Sequence, residues 1–309
     1  YKQKSRIDKL MELNLMNSVI KKYLLHNRTM KFENDEALQQ FLEKRRTKNQ
    51  EKHKQPESLN VKSNLEKQDF QGMQVFRFNF RHNNKQKLLY IHGGYNVLQP
   101  SVFHWRFMDK LALNTLHEVI MPIYPKAPIA HVHTTYQAIM DLYDSLLKEV
   151  DSKDIVIMGD GTGGSLALSF VQQLLAQNKP TPNKIYLISP LLDAELNNDV
   201  ITEGMEKRDK LINKEGIKQV LQCWAGDLTL DHPLISPING DLTQLPPIYM
   251  FGSTKEVYYP DMQKLVELLE FNQRAIHFYP YKRMVHDFPL YPIRQSHKAV
   301  RQIVASLQD

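Results

Sequence analysis

The sequence holds a single cysteine, Cys223, among its 309 residues. One thiol excludes a disulfide within the chain and a zinc site built from several cysteines. A small buried hydrophobic role is the usual one for such a residue. No apolar run reaches the roughly eighteen residues of a transmembrane helix, and no signal-peptide pattern occurs. Because the chain begins at Tyr1 rather than Met, we hypothesise that an upstream piece, such as a membrane segment, was removed. The expected location is the cytoplasm or a membrane surface.

The net charge of +6 is distributed unevenly along the chain. The basic excess lies in residues 1–65, and the remainder is close to neutral. A solvated helical face explains this excess, and attraction to an anionic membrane surface is the alternative. No nucleic-acid-binding motif is present, and aromatic residues do not interleave with the basic ones. Nucleic acid is therefore not an expected partner.

The hydrophobic content of 42% suffices for one large domain, alone or with a cap. Apolar residues at helical spacing predict helices over 4–25 and 34–49. Residues 46–65 are charged and rich in Gln and Asn, which is typical of a mobile linker. We therefore expect a basic helical arm over residues 1–65 and a main domain over residues 66–309.

Strand-like and helical patterns alternate from residue 66 onward. Strands are expected at 74–80, 87–91, 118–123, 154–158, 184–189, 247–251 and 275–279, and helices at 103–114, 133–149, 162–178, 261–272 and 293–307. This alternation predicts an α/β fold with a mostly parallel central sheet and helices on both faces. Ligands on such sheets bind beyond the carboxyl ends of the strands. The polar segment 193–235 interrupts the alternation and is expected to be mostly helical.

A glycine-dense turn over residues 159–164 follows the β-branched run at 154–158. Strand, turn and helix in this order are typical of a nucleophile elbow, G-x-S-x-G, which lifts a serine above the sheet edge. Gly159 and Gly163 supply the glycines that the close packing of such a turn requires. The nucleophile position, however, holds Gly161, so the turn is present and the reactive hydroxyl is missing. A phosphate-binding loop is less consistent with the turn, which lacks the P-loop lysine.

The chain resembles the α/β-hydrolase superfamily, and more closely the hormone-sensitive-lipase group of carboxylesterases. Four segments in order carry this resemblance: His92-Gly93-Gly94-Tyr95, Tyr124-Pro125-Lys126-Ala127-Pro128, residues 159–167, and Ser236-Pro237 through Leu245-Pro246-Pro247 to Glu256. Two positions depart from the family pattern, Tyr95 where glycine is usual and Gly161 where serine is usual. The resemblance implies an α/β-hydrolase fold whose helical cap combines the N-terminal helices with the insertion at about 193–235.

The resemblance also implies a base and an acid. His286 matches the histidine of the family's C-terminal loop, with Asp287 where glycine is usual. Glu256 is the expected orienting carboxylate, and Asp261 is its rival. The chain order of nucleophile position 161, acid and base is the order found in these hydrolases.

Backbone N–H groups of Gly93, Gly94 and Thr162 are implied as the oxyanion donors. Tyr95 is expected to narrow or line the substrate site. Thr162 is a less favoured candidate for a shifted nucleophile, because one helical step turns its side chain away. Ser165 is less favoured still, since it is expected to pack within the helix.

Together these features predict a carboxylesterase- or lipase-type hydrolase that acts on small carboxylic esters without a metal or cofactor. Because Gly161 occupies the nucleophile position, activity is expected to be impaired or absent, whether the glycine is native or engineered. The alternative is a non-catalytic protein that binds or senses a small apolar ester or lactone, with a membrane surface as a further candidate partner. The sequence makes no prediction of oligomeric state.

Overall fold

The computed structural model describes the backbone of residues 6–309 and the side chains from residue 16 onward. The first residues of the helix expected at 4–25 lie outside this range. The helices are α1 Arg6–Asn27, α2 Asp35–Gln50, α3 Val102–Asn114, α4 Val132–Leu147, α5 Thr162–Ala176, α6 Glu203–Arg208, α7 Lys214–Ala225, α8 Tyr259–Phe271 and α9 Arg294–Gln308. The strands are β1 Leu65–Phe70, β2 Met73–Phe78, β3 Lys87–Ile91, β4 Glu118–Pro122, β5 Ile155–Asp160, β6 Lys184–Ile188, β7 Ile248–Ser253 and β8 Ile276–Tyr281.

An eight-stranded sheet in the order β1-β2-β4-β3-β5-β6-β7-β8 forms the centre of the molecule. Strands β3 to β8 pair in parallel, and β1 and β2 form an antiparallel edge. Apolar side chains are buried on both sheet faces beneath the helices. The predicted α/β fold with a mostly parallel sheet is confirmed.

Strand β1 was not predicted from the sequence. Its central residues, Glu66 to Asp69, are polar, and the strand is only partly buried at the sheet edge. Pairing with β2 stabilises it, in a register from Leu65 opposite Phe78 to Phe70 opposite Met73. Gln71 and Gly72 both adopt positive φ at the connection, which matches a tight hairpin turn. Tertiary pairing thus outweighs the weak strand propensity of the segment.

The segment predicted as a mobile linker, 46–65, makes specific contacts with the main domain. Its first residues belong to α2. The indole N–H of Trp105 donates to His53 Nε2 at 2.9 Å. The backbone N–H groups of residues 62 and 63 donate to the Asp109 carboxylate at 3.0 and 2.9 Å. These contacts hold the segment against the main domain, because its backbone and side chains find partners that composition does not reveal.

The N-terminal helices and the insertion lie over the carboxyl end of the sheet. Ile20 and Leu24 of α1 are buried. A Cβ at Gly216 of α7 would approach the Met30 carbonyl oxygen to 1.9 Å, so the insertion and the N-terminal segment are in backbone contact. Trp224 of α7 is buried and donates to Thr135 Oγ1 at 2.9 Å. Within the part of the chain that the structure describes, no helix is long and apolar enough to cross a membrane.

Candidate active site

The turn between β5 and α5 has the backbone conformation of a strained elbow. Gly161 adopts φ 54° and ψ −122°, a region that glycine enters far more readily than other residues. Its N–H donates to the Ile188 carbonyl at 2.9 Å. A Cβ at Gly163 would lie 2.0 Å from the Ile91 carbonyl oxygen, and one at Gly159 would lie 2.2 Å from the Gly163 oxygen. These glycines are therefore required by the close approach of strand and helix.

The loops after β7 and β8 bring Glu256 and His286 together. His286 Nδ1 and Glu256 Oε1 are 2.8 Å apart, and the other carboxylate oxygen accepts the Ser253 N–H at 2.8 Å. A carboxylate at Nδ1 holds the proton there and leaves the Nε2 lone pair free to accept one. Asp261 instead accepts a hydrogen bond from Asn198 at 2.9 Å. Of the two predicted acids, only Glu256 contacts the histidine among the described residues.

The elbow and the histidine face each other directly. A Cβ built on Gly161 would lie 3.3 Å from His286 Nε2 and 3.6 Å from Cε1. A side chain at this position would therefore point at the ring nitrogen that can accept a proton. The site has a base opposite the elbow, and the side chain between them is absent.

The amide of Gly93 does not serve as a free oxyanion donor. Its N–H donates to Asp160 Oδ1 at 3.0 Å, so the prediction for Gly93 was wrong. The Gly94 N–H has no protein acceptor among the described residues, and Thr162 is the first residue of α5, whose N–H has no partner within the helix. Gly94 and Thr162 are thus the amides available to a developing negative charge.

The two hydroxyls next to the elbow have other partners. Thr162 Oγ1 accepts the Tyr95 N–H at 2.9 Å, and Ser165 Oγ donates to the Leu191 carbonyl. Among the described side chains neither hydroxyl contacts His286. Tyr95 is buried and lines the cavity next to Gly161.

A buried ionic group beneath the elbow was not predicted from the sequence. Both oxygens of Asp160 lie close to His104 Nε2, at 3.0 and 3.1 Å. The Tyr90 hydroxyl donates to Oδ1 at 2.7 Å. Burial opposes ionisation, but the charge of His104 and these hydrogen bonds hold the Asp160 pKa well below its usual value. Asp160 stands inside the elbow motif, whereas no sequence signal marked His104.

Asp287 places a second carboxyl group beside the histidine. Its Oδ2 lies 3.4 Å from His286 Nε2, on the side opposite Glu256. The residue is buried and adopts the left-handed conformation, with φ 61°. Burial, with the nearby charge of Asp160, raises the Asp287 pKa well above its usual value. Where the family usually has glycine, this chain therefore introduces an acid into the site.

The cavity over the elbow is small, about 40 Å³. Leu24 and Arg28 of the N-terminal segment and Leu211 of the insertion form part of its lining. The Arg28 guanidinium donates to the Gln99 carbonyl at 2.7 Å and to the Gly93 carbonyl at 3.3 Å, which ties this roof to the loop after β3. Typical ligand cavities are several hundred Å³, so a ligand larger than a few atoms requires the roof to move. A larger groove of about 930 Å³ lies near the end of α2 and the β1–β2 turn and contains none of these catalytic candidates.

A mostly parallel sheet with an elbow after β5, an acid loop after β7 and a histidine loop after β8 defines the α/β-hydrolase class. The profile of the alpha/beta hydrolase fold family matches residues 88–290, and the chain belongs to this family.

Several proteins named as esterases or lipases are similar to the chain. An esterase from Acinetobacter venetianus is 33% identical over 208 residues, which is 67% of this chain and 68% of the relative. A triacylglycerol lipase from Mycobacterium tuberculosis is 31% identical over 186 residues, which is 60% of this chain. The matched region spans only 38% of the length of that lipase. The chain is thus an α/β hydrolase of the carboxylesterase and lipase type.

Solved structures show the same fold. A Staphylococcus aureus protein of known crystal structure has 52% sequence identity to this chain and a TM-score of 0.92. The match covers 94% of this chain and 99% of that protein. An esterase from the bacterial hormone-sensitive lipase family has a TM-score of 0.79 at 20% identity. The match covers 94% of this chain and 96% of that esterase. At that identity the likeness concerns the fold alone.

Proposed function

We propose that this protein binds small carboxylic esters in the cavity over the elbow and hydrolyses them slowly, because Gly161 lacks a hydroxyl. The observation that carries the proposal is the 3.3 Å between the Cβ position of Gly161 and His286 Nε2. The elbow conformation, the His286–Glu256 pair and the two free amides surround the position of one missing side chain.

The remaining groups support weak hydrolysis. Gly94 and Thr162 line the cavity, and their N–H groups stabilise an oxyanion that develops on an ester carbonyl. Loss of the nucleophilic serine lowers turnover by about 10⁶-fold in a serine hydrolase, and the oxyanion donors and binding retain about 10³–10⁴-fold over water. The cavity of about 40 Å³ favours a small acyl group such as acetyl while the roof is closed.

Restoring the serine tests the proposal. The variant Gly161→Ser should hydrolyse p-nitrophenyl acetate several orders of magnitude faster than the unchanged chain, up to about 10⁶-fold, because its hydroxyl meets His286 Nε2. A fluorophosphonate probe should label position 161 in this variant and should not label the unchanged chain. Equal rates for the two proteins would overturn the proposal, and label on Thr162 would identify a shifted nucleophile instead.

The closed cavity favours a second candidate, a non-catalytic protein that binds a small apolar ester or lactone. Arg28 holds the roof over a site that lacks its nucleophile, an arrangement that suits retention of a ligand better than turnover. Saturable micromolar binding by calorimetry, together with no turnover by Gly161→Ser, would select this candidate. A thermal-shift screen of short esters and lactones without any hit would count against it.

A further inference from the structure

Asp287 lies where the serine of an active elbow would interact with the histidine. Its Oδ2 is 3.4 Å from His286 Nε2 and 4.0 Å from the Cβ position of Gly161. The carboxyl group therefore stands at the open side of the ring, next to the space that Gly161 leaves. The Asp287 side chain also shares a hydrogen bond with the Asp160 carboxylate.

The backbone holds the carboxyl group in this place. Asp287 adopts φ 61° and ψ 24°, the left-handed region that aspartate and asparagine enter more readily than most residues. Its N–H donates to Ser189 Oγ at 3.0 Å. Asp287 lines the cavity over Gly161 together with Gly94, Thr162 and His286.

We propose that Asp287 and His286 together bind and deprotonate a water molecule over Gly161, so that this chain hydrolyses small esters directly and without an acyl-enzyme. The proposal rests on the proposed function, because it concerns the residual hydrolysis at the same site. A cavity of about 40 Å³ accommodates water, which needs roughly 10–15 Å³. Because Oδ2 and Nε2 are 3.4 Å apart, a water beside the pair, in the space over Gly161, can reach both atoms, and Gly94 and Thr162 line the same cavity.

The reaction balances with water as the second substrate. A water O–H bond breaks, the proton goes to the Asp287–His286 pair, and the oxygen forms a bond to the ester carbonyl carbon. The Gly94 and Thr162 amides stabilise the resulting oxyanion. The bond to the alkoxide oxygen then breaks, and the same pair returns the proton to that oxygen. The products are one carboxylic acid and one alcohol.

The surroundings of Asp287 suit it to this role. Burial raises its pKa first, the charge of Asp160 and a side-chain hydrogen bond to Asp160 raise it further, Glu256 adds to this, and Arg28 opposes them. A carboxyl group with a raised pKa is a stronger base once it is ionised. Burial raises the pKa of Tyr291, Tyr90, Tyr95 and Tyr258, and the nearby charge of Asp287 adds to each of these shifts.

A cycle of four full-length proteins tests the proposal: the unchanged chain, Asp287→Asn, Gly161→Ser, and the double variant. In the glycine background Asp287→Asn should lower kcat/KM for p-nitrophenyl acetate by about 10²-fold, the lower end for loss of a general base. In the serine background the same change should lower it by less than about threefold, because the hydroxyl then reacts with the ester. Asparagine keeps the size and the left-handed preference of the residue, and Asp287→Gly provides a second variant that suits this conformation.

The outcomes separate this inference from the proposed function. If none of the four proteins hydrolyses the ester, the proposed function itself fails. If Gly161→Ser is active while Asp287→Asn leaves the rate of the glycine chain unchanged, the role of Asp287 is wrong and the proposed function stands. Exposed Asp227 offers a matched control, since Asp227→Asn should leave every rate unchanged.

Two further measurements would distinguish a base role of Asp287 from a merely structural one. The rate of the unchanged chain should fall as pH drops below the raised Asp287 pKa, and this limb should disappear in Asp287→Asn. Turnover in ¹⁸O-labelled water should place the label in the released acid and none in the peptide that contains Asp287. Label in that peptide would show that Asp287 attacks the ester itself, and would overturn its role as a base.

Discussion

Gly161 and His286 face each other so closely that a Cβ on the glycine would lie 3.3 Å from the ring nitrogen Nε2. The backbone at Gly161, with φ 54° and ψ −122°, lies in a region that strains a residue with a side chain. A side chain at position 161 would thus point at the base, as a nucleophile must, but any residue other than glycine would destabilise the fold at this position.

Substitution of Gly161 should therefore destabilise the fold whether or not it restores activity. Both Gly161→Ser and Gly161→Ala are expected to lower the free energy of unfolding by about 1–3 kcal/mol, the strain of a non-glycine residue in such a conformation. Urea unfolding of the three proteins measures this difference. Only the serine variant should gain esterase activity, so an active alanine variant would contradict the assignment of the position.

The close packing of the elbow predicts a much larger effect at Gly163. A Cβ there would lie 2.0 Å from the Ile91 carbonyl oxygen, which is backbone and cannot move aside easily. We expect Gly163→Ala to lower the free energy of unfolding by more than about 3 kcal/mol. Gly204 of α6 is the control, since its Cβ would meet only side-chain atoms at 3.6 and 3.7 Å. Gly204→Ala should leave stability unchanged or raise it by less than about 1 kcal/mol, and equal losses for both variants would contradict the packing argument.

The buried carboxyl group of Asp209 should make the free energy of unfolding depend on pH. Its buried carboxylate accepts the Val257 N–H at 2.9 Å. Burial, with a smaller effect of Glu256, raises its pKa to about 6, above roughly 3.9 in an unfolded chain. Because the pKa is higher in the folded state, the fold is stabilised by the neutral carboxyl group relative to the ionised one. This contribution to the free energy of unfolding is complete below about pH 4 and is lost as the pH rises through about 6.

The variant Asp209→Asn should not show this loss. Its stability relative to the unchanged chain should therefore increase from pH 4 to pH 7, by up to about 3 kcal/mol. Urea unfolding at both pH values measures the difference, and exposed Asp227→Asn serves as the control. A stability difference that does not vary with pH would show that Asp209 ionises normally.

The contact between Glu256 and His286 predicts which carboxylate supports the base. In the Gly161→Ser background, Glu256→Gln should lower kcat by about 10³–10⁴-fold, because the histidine loses the partner that orients it. Asp261 is equally buried but contacts Asn198 instead, so Asp261→Asn should change kcat little. Steady-state kinetics with p-nitrophenyl acetate distinguish the two, and the opposite ranking would exchange their roles.

The sequence alone determined much of the secondary structure and the position of the elbow. Local patterns determine the alternation of strands and helices, because apolar periodicity is a property of consecutive residues. The glycines at 159, 161 and 163 predicted the elbow, because close backbone approach and unusual φ tolerate few other residues. The family resemblance also indicated His286 as the base and Glu256 as its acid, with Asp261 as the rival.

Other features were decided only by the tertiary structure. Strand β1 exists because β2 pairs with it, the Gly93 amide is occupied because Asp160 folds beneath it, and Arg28 closes the cavity from 65 residues away along the chain. Such contacts join distant residues, and no local pattern encodes them. Asp287 is the clearest case. The sequence showed an acid where glycine is usual, and only the fold placed its carboxyl group beside His286 and the space left by Gly161.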